Sequence, residues 1–169
     1  MDLILLQPGD QTLFPSGSDA DAGHSGLPNA GLCIELVSLQ QGMKQQVTTD
    51  VSNSARTSGR PVITEFTCVK YVDKVSVKLY DYCLRAQPIG KDKDVTHIYI
   101  LRTSGDKTVP IMTFALRDAL VSEIQLQTHP DDMPTEQFKL NFTEIVWRYE
   151  AGPTSGWSLA RNRPIAQFT

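Results

Sequence analysis

Hydrophobic and polar positions change their period once along this chain, between residues 66 and 85. The run Phe66, Thr67, Cys68, Val69, Lys70, Tyr71, Val72 is dense in aromatic and β-branched side chains, the composition of a strand. From residue 76 the period lengthens. Leu79, Tyr82, Cys83 and Ala86 fall at i, i+3, i+4 and i+7, one face of a short helix over about residues 76–86. Ser76 is placed to accept a backbone N–H at its start. Pro88 cannot continue it, and Gly90 can turn freely after it. No other stretch holds a helical period, so the pattern predicts a β-protein wrapped around one helix.

The remaining apolar runs read as strands. Residues 2–7 form a first short one, closed by Gln7-Pro8-Gly9-Asp10, and residues 32–41 a second. In that second strand Leu32, Ile34, Leu36 and Ser38 oppose Cys33, Glu35, Val37 and Leu39, so both of its sides are at least partly covered. Residues 61–70 lead into the helix. Residues 95–102 and 109–116 pair as a hairpin around Gly105-Asp106, and residues 120–127 alternate as a further strand. Residues 136–150 read as the longest strand, with a break of parity inside it. Phe138, Leu140 and Phe142 share one parity and Ile145, Trp147 and Tyr149 the other, which predicts a β-bulge near Thr143-Glu144. A last short strand surrounds Trp157-Ser158-Leu159. The result is a mainly β fold, an antiparallel barrel or sandwich of two sheets with one short α-helix, in a single domain over residues 1–169.

Two polar stretches interrupt this pattern. Residues 14–31 are rich in Gly, Ser, Asp, Asn and Pro, and residues 48–60 carry almost nothing apolar to anchor them. Polar loops of that length inside a compact domain are usually functional or disordered. Residues 129–134, with Asp131 and Asp132, read as a turn-rich connection in which the carboxylates are turn formers.

Composition narrows the function by exclusion. A net charge of −3 offers no basic stripe for nucleic acid, and no stretch reaches the ~20 apolar residues of a membrane span. Asp2 and the stop at Pro8 argue against a signal sequence in residues 1–6. Cys33, Cys68 and Cys83 lack metal-ligand spacing and read as small buried hydrophobes. Neither a nucleophile elbow, a zinc-binding helix, a phosphate loop nor a dinucleotide fingerprint is present. His97 sits in an alternating strand, as a structural imidazole would, while His24 and His129 are loop residues. Asn141-Phe142-Thr143 matches a glycosylation sequon but lies mid-strand, and Lys91-Asp92-Lys93-Asp94 reads as a solvated turn. The expectation is no catalytic residue, no metal and no cofactor.

Several short segments carry a resemblance when taken together. Phe66-Thr67, Lys70-Tyr71-Val72-Asp73-Lys74 and Lys78-Leu79 come first. Asp118-Ala119-Leu120-Val121-Ser122, Pro134-Thr135-Glu136 and Leu140-Asn141-Phe142 follow, and Gly156-Trp157-Ser158-Leu159 with Asn162 completes the set. In order and spacing the chain resembles the haemolysin-coregulated protein (Hcp) family, tube proteins of bacterial type VI secretion. It departs from the family in loops. Ser16-Gly17-Ser18-Asp19-Ala20-Asp21 replaces the usual Gly-Glu-Ser-x-Asp stretch, and Ser76-Val77 stands where Ser-Pro is common. A glycine-rich segment is contracted to Thr128-His129-Pro130-Asp131-Asp132.

The resemblance implies a structural rather than catalytic role. Protomers would close into hexameric rings, and rings would stack into a tube inside a contractile sheath. The tube would be assembled in the bacterial cytoplasm and then exported with a tip spike, without a signal peptide, carrying small effector proteins in its lumen. The partners are thus other copies of the chain, the spike, the sheath and effectors, with no nucleic acid and no membrane insertion. The polar arm, with Thr48, Thr49, Asp50, Ser52, Asn53, Arg56 and Thr57, would reach an adjacent ring. Gln125, Gln127 and Thr128 would face the lumen. No toxin domain is expected beyond the tube domain. The alternative is a monomeric small-ligand-binding β-barrel, which needs an empty interior where Phe138, Leu140, Phe142, Ile145 and Trp147 read as filling one.

Overall fold

A computed structural model describes residues 2–15, 21–22, 31–47, 60–91, 93–150 and 152–168. Strands β1 (Asp2–Gln7), β2 (Asp21–Ala22), β3 (Leu32–Leu36), β4 (Ser38–Gln40), β5 (Met43–Lys44), β6 (Val62–Ile63) and β7 (Phe66–Tyr71) precede helix α1 (Ser76–Leu84). After it come β8 (Thr96–Ser104), β9 (Lys107–Arg117), β10 (Leu120–Gln127), β11 (Thr135–Asn141), β12 (Glu144–Tyr149), β13 (Thr154–Ser158) and β14 (Arg163–Pro164). A 3-10 turn over Gln11–Leu13 buries Leu13. Among the described residues α1 is the α-helix that the period at Leu79 and Tyr82 predicts.

The strands form a sandwich rather than a closed barrel. One sheet has eight strands in the order β14-β13-β12-β9-β8-β1-β3-β2, and the facing sheet four, β10-β11-β7-β4. A two-stranded ribbon, β5-β6, stands apart from both. All the pairings are antiparallel. The main core lies between the two sheets, where Leu6, Ile34, Leu36, Phe66, Cys68, Ile98, Leu116, Val121, Phe138, Leu140 and Ile145 are buried. Phe66 meets Phe114 edge-on at 5.2 Å between ring centroids. Leu5, Cys33, Tyr99 and Leu101 form a second buried cluster on the other face of the eight-stranded sheet. Cys33 and Ile34 thus point into different clusters, which is why residues 32–36 carry apolar side chains on both faces.

The parity break seen in the sequence has a different cause from the expected one. No bulge joins residues 136–150 into one strand. β11 belongs to the four-stranded sheet and β12 to the eight-stranded one, with Phe142 and Thr143 as the corner between them. When a chain crosses from one sheet of a sandwich to the facing sheet, the inward direction reverses, so the buried parity must reverse too. Phe138, Leu140 and Phe142 are buried before the corner and Ile145 after it. Trp147 is partly buried, while Tyr149 is 52% exposed and outside the core. The rule applies again at Val37, where β3 leaves the eight-stranded sheet and β4 enters the other, so residues 32–41 are two strands. It applies a third time between Leu116 and Ala119, where Asp118 turns the corner at φ +53°. The longest strand is β9, with 11 residues.

Both ends of α1 also differ in detail from expectation. Val75 is its N-cap and supplies no side-chain hydrogen bond. Asp73 Oδ1 accepts the Val75 N–H instead (2.9 Å), and Ser76, already inside the helix, turns its hydroxyl to the buried network described below. At the other end Gln87 N–H reaches Tyr82 O and Ala86 N–H reaches Cys83 O, the paired bonds of a Schellman stop. The left-handed residue there is Ala86, at φ +53°, so Ala86 lies past the helix and is exposed. Gly90 is required for close approach rather than turning, since a Cβ there would stand 2.4 Å from Asp94 O. Gly105 does turn, at φ +62°, in the hairpin that joins β8 to β9.

Candidate functional site

Two strands that run side by side place opposite charges in the interior. On β7 the inward row is Phe66, Cys68, Lys70, and on β11 it is Glu136, Phe138, Leu140; the antiparallel register sets Glu136 directly opposite Lys70. Both side chains are fully buried, and Lys70 Nζ lies 2.6 Å from Glu136 Oε1. Lys70 also donates to Ser76 Oγ (2.9 Å) and to Asp73 Oδ1 (3.0 Å). Ser76 Oγ donates to Glu136 Oε1 and Tyr80 OH to Glu136 Oε2, each at 2.6 Å. Burial and the adjacent Glu136 carboxylate push the Tyr80 phenol up to about 12. The bonds of Ser76 and Tyr80 hold the start of α1 against the four-stranded sheet. With Lys70 and Glu136 fully buried and their bonding capacity met, this network is a structural clasp.

The outer face of the same sheet is polar. Glu65 accepts from Ser122 Oγ (2.6 Å) and Asn141 Nδ2 (3.0 Å), bonds that lower its pKa below the ordinary carboxylate value. Lys139 pairs with Glu123 at 3.2 Å. A groove of about 610 Å³ beside them is lined by Gln40, Gln41, Gly42, Thr64, Glu65, Thr67 and Lys139. Gln125, Gln127 and Thr128 are exposed at the end of edge strand β10. Gln125 donates to Glu123 Oε1 (2.8 Å), and Gln127 lies 3.3 Å from the His129 ring. These three residues share an exposed strand end. The arm residues Thr48, Thr49, Asp50, Ser52, Asn53, Arg56 and Thr57 lie outside the described residues, as does His24.

His97 stacks on Tyr99 at 5.7 Å with 9° between the rings, and burial lowers its pKa below the ordinary imidazole value. Cys68 is buried and its thiol is pushed up to about 12 by desolvation, so it stays protonated and unreactive. Cys33 is buried as well, and Cys83 only partly. Among the described residues no group of His, Cys, Asp and Glu side chains gathers to hold a metal. No helix of the described residues is long and apolar enough to cross a membrane. At the chain's far end Glu144 and Arg117, cross-strand neighbours, lie 3.5 Å apart, and the Arg117 guanidinium covers the Phe168 ring at 4.9 Å.

Among the described residues the sheet margins are open features of the surface as well. Strands β10 and β4 bound the smaller sheet, and β14 and β2 the larger. Open margins invite pairing with another chain.

No curated protein matches the chain in sequence. Among solved structures it is similar to a type six secretion system protein, with a TM-score of 0.75 and 19% identity over 98% of this chain and 100% of that one. It is similar to Hcp1 from Salmonella typhimurium (TM-score 0.68, 17% identity, covering 97% and 99% of the two chains). Secreted protein Hcp3 from Pseudomonas aeruginosa also matches (TM-score 0.64, 15% identity, 94% and 98%). These identities establish a shared fold. The family model described as type VI secretion system effector, Hcp, matches residues 16–149, most of the chain. The chain belongs to the Hcp family of type VI secretion proteins.

Proposed function

We propose that this protein is the structural subunit of a type VI secretion inner tube, built from hexameric rings that stack along a common axis. The single observation that carries this reading is a protomer with a filled interior and open sheet margins. Phe66, Phe138, Leu140, Phe142 and Ile145 are buried between the sheets. A carrier that holds a ligand inside one barrel needs that space, so the monomeric alternative has no observation in its favour. The margins at β10, β4 and β14 are what a heterologous contact uses, and such a contact gives a ring when its rotation closes.

The ring is assembled in the bacterial cytoplasm within a contractile sheath and is expelled with the tip spike. Family membership supports this placement, and the P. aeruginosa structure similar to it is itself of a secreted protein. Small effector proteins ride in the lumen, with Gln125, Gln127 and Thr128 among the residues facing them. Their exposure and uncharged amide and hydroxyl side chains suit weak, replaceable hydrogen bonds to varied cargo. The arm around Thr48, Thr49, Asp50, Ser52, Asn53, Arg56 and Thr57 reaches the adjacent ring.

Electron microscopy of purified protein tests both levels of this assembly. The expected images show rings with a central channel, some stacked. Arg56→Glu, or deletion of residues 49–57, leaves rings intact and removes stacks. Featureless monomers from the unaltered protein would contradict the tube, and monomers from the arm variants alone would move the arm to the contact within a ring.

A further inference from the structure

The four-stranded sheet has two unlike ends. At the Phe66 end of β7 stands the β5-β6 ribbon, whose base is closed by bonds between Thr64 and Gly42. A two-stranded ribbon is marginal in water unless something packs on it. This one leaves Met43 56%, Val47 52% and Val62 37% exposed, with Lys44 and Arg60 exposed beside them. Glu65 at this end keeps its charge, since Ser122 and Asn141 are neutral donors, and Lys139 is paired with Glu123; with Lys44 and Arg60 exposed, cations outnumber carboxylates among the described residues here.

At the Tyr71 end, roughly 20 Å away for a strand of this length, lies the connection from β10 to β11. Val72 N–H to Pro134 O (3.1 Å) fixes it beside Tyr71. Here Leu126 is 58%, Met133 64% and Tyr71 48% exposed, next to the exposed carboxylates of Asp131 and Asp132. Asp73 is bound to Lys70, and Lys74 is the one exposed cation among residues 71–76. The balance at this end is negative. Apolar side chains with cations at one end thus match apolar side chains with carboxylates at the other. A single copy cannot join its own two ends.

We infer that the β5-β6 ribbon of one copy seats on the Asp131–Met133 turn of a copy in the next ring, with Lys44 and Arg60 facing the two carboxylates and Met43 and Val62 covering Met133. The inference rests on the tube reading and names the residues that stack it. The contact is heterologous and does not close, so it propagates along the axis.

Disulfide trapping in the full chain tests it, using Val62→Cys together with Met133→Cys. Ring mass is checked by light scattering before oxidation, so that failure of the ring, which bears on the tube reading, is read separately. The expected result on a non-reducing denaturing gel is a ladder running past the hexamer. A ladder that stops at the hexamer places the contact within a ring and overturns the inference, as does cross-linking no greater than in either variant carrying one of the two substitutions alone. Charge reversal gives a second readout. Asp131→Lys with Asp132→Lys should leave ring mass unchanged and reduce stacked rings roughly tenfold, as like charges then face each other. Adding Lys44→Glu and Arg60→Glu to the same chain should restore them. Stacking unaffected by the first pair, or not restored by the second, overturns the inference.

Discussion

Lys70 and Glu136 show how much one pair of residues decides. A charge in a dry interior persists only when it is paired and its remaining hydrogen-bonding capacity is met. Ser76, Tyr80 and Asp73 meet it here. Lys70→Met leaves Glu136 buried without its cation and should cost about 3–5 kcal/mol, read from denaturant midpoints at one protein concentration. Lys70→Met combined with Glu136→Leu should recover much of that loss. A double variant no more stable than the single would show that the pair is not the source of the effect. His97 gives the pH prediction. Its folded pKa is lowered by burial, so over the interval just below the ordinary value of 6.5 the unfolded chain binds more protons. Its contribution is therefore complete above that value and is lost as pH falls through the folded pKa. His97→Gln should flatten this part of the stability profile, and an unchanged slope would contradict it. Part of the clasp was legible in the sequence, since Lys70 continues the inward parity of Phe66 and Cys68, and Glu136 that of Phe138 and Leu140. What parity alone does not supply is the register that sets the two opposite each other.

At the scale of elements, period identifies type, but topology decides what a change of phase means. The lengthened period at Leu79 and Tyr82 did mark α1, whose inner side buries Leu79 completely. Tyr82 OH also donates to Asp10 Oδ2 (2.9 Å), tying the helix to the 3-10 turn near β1. Leu79→Asp places an unpaired carboxylate against the core, so the protomer should fail to fold, with loss of the cooperative thermal transition. A well-folded variant would mean that the helix face is exposed. The break between Phe142 and Ile145 was equally visible, yet a bulge and a crossing to the facing sheet leave the same trace in a single sequence. Only pairing partners separate them: β11 pairs with β7 and β10, β12 with β9 and β13. The helix ends were hard for another reason. Ser76 has the chemistry of a cap, but the buried Lys70 and Glu136 nearby hold its hydroxyl instead. Ala86 holds a left-handed position that favours glycine, at a cost of about 1–2 kcal/mol that the two Schellman bonds offset.

The whole molecule is organised by what it leaves unpaired. Among its described residues the core between the sheets is filled, and the open features include sheet margins, a polar groove and an exposed ribbon. The family resemblance was legible because its residues are largely those that build the frame: Phe66, Lys70, Asp73, Leu79, Glu136, Leu140 and Phe142 cluster around the core and the clasp. The assembly surfaces were much less so, because an exposed glutamine or methionine carries the same signal whether it meets solvent or a neighbour. Light scattering after size exclusion tests the central claim most directly, because ring formation is a statement about mass. The account predicts a particle with the mass of a hexamer of 18.7 kDa chains, stable across dilution. A strict monomer at every concentration would contradict it.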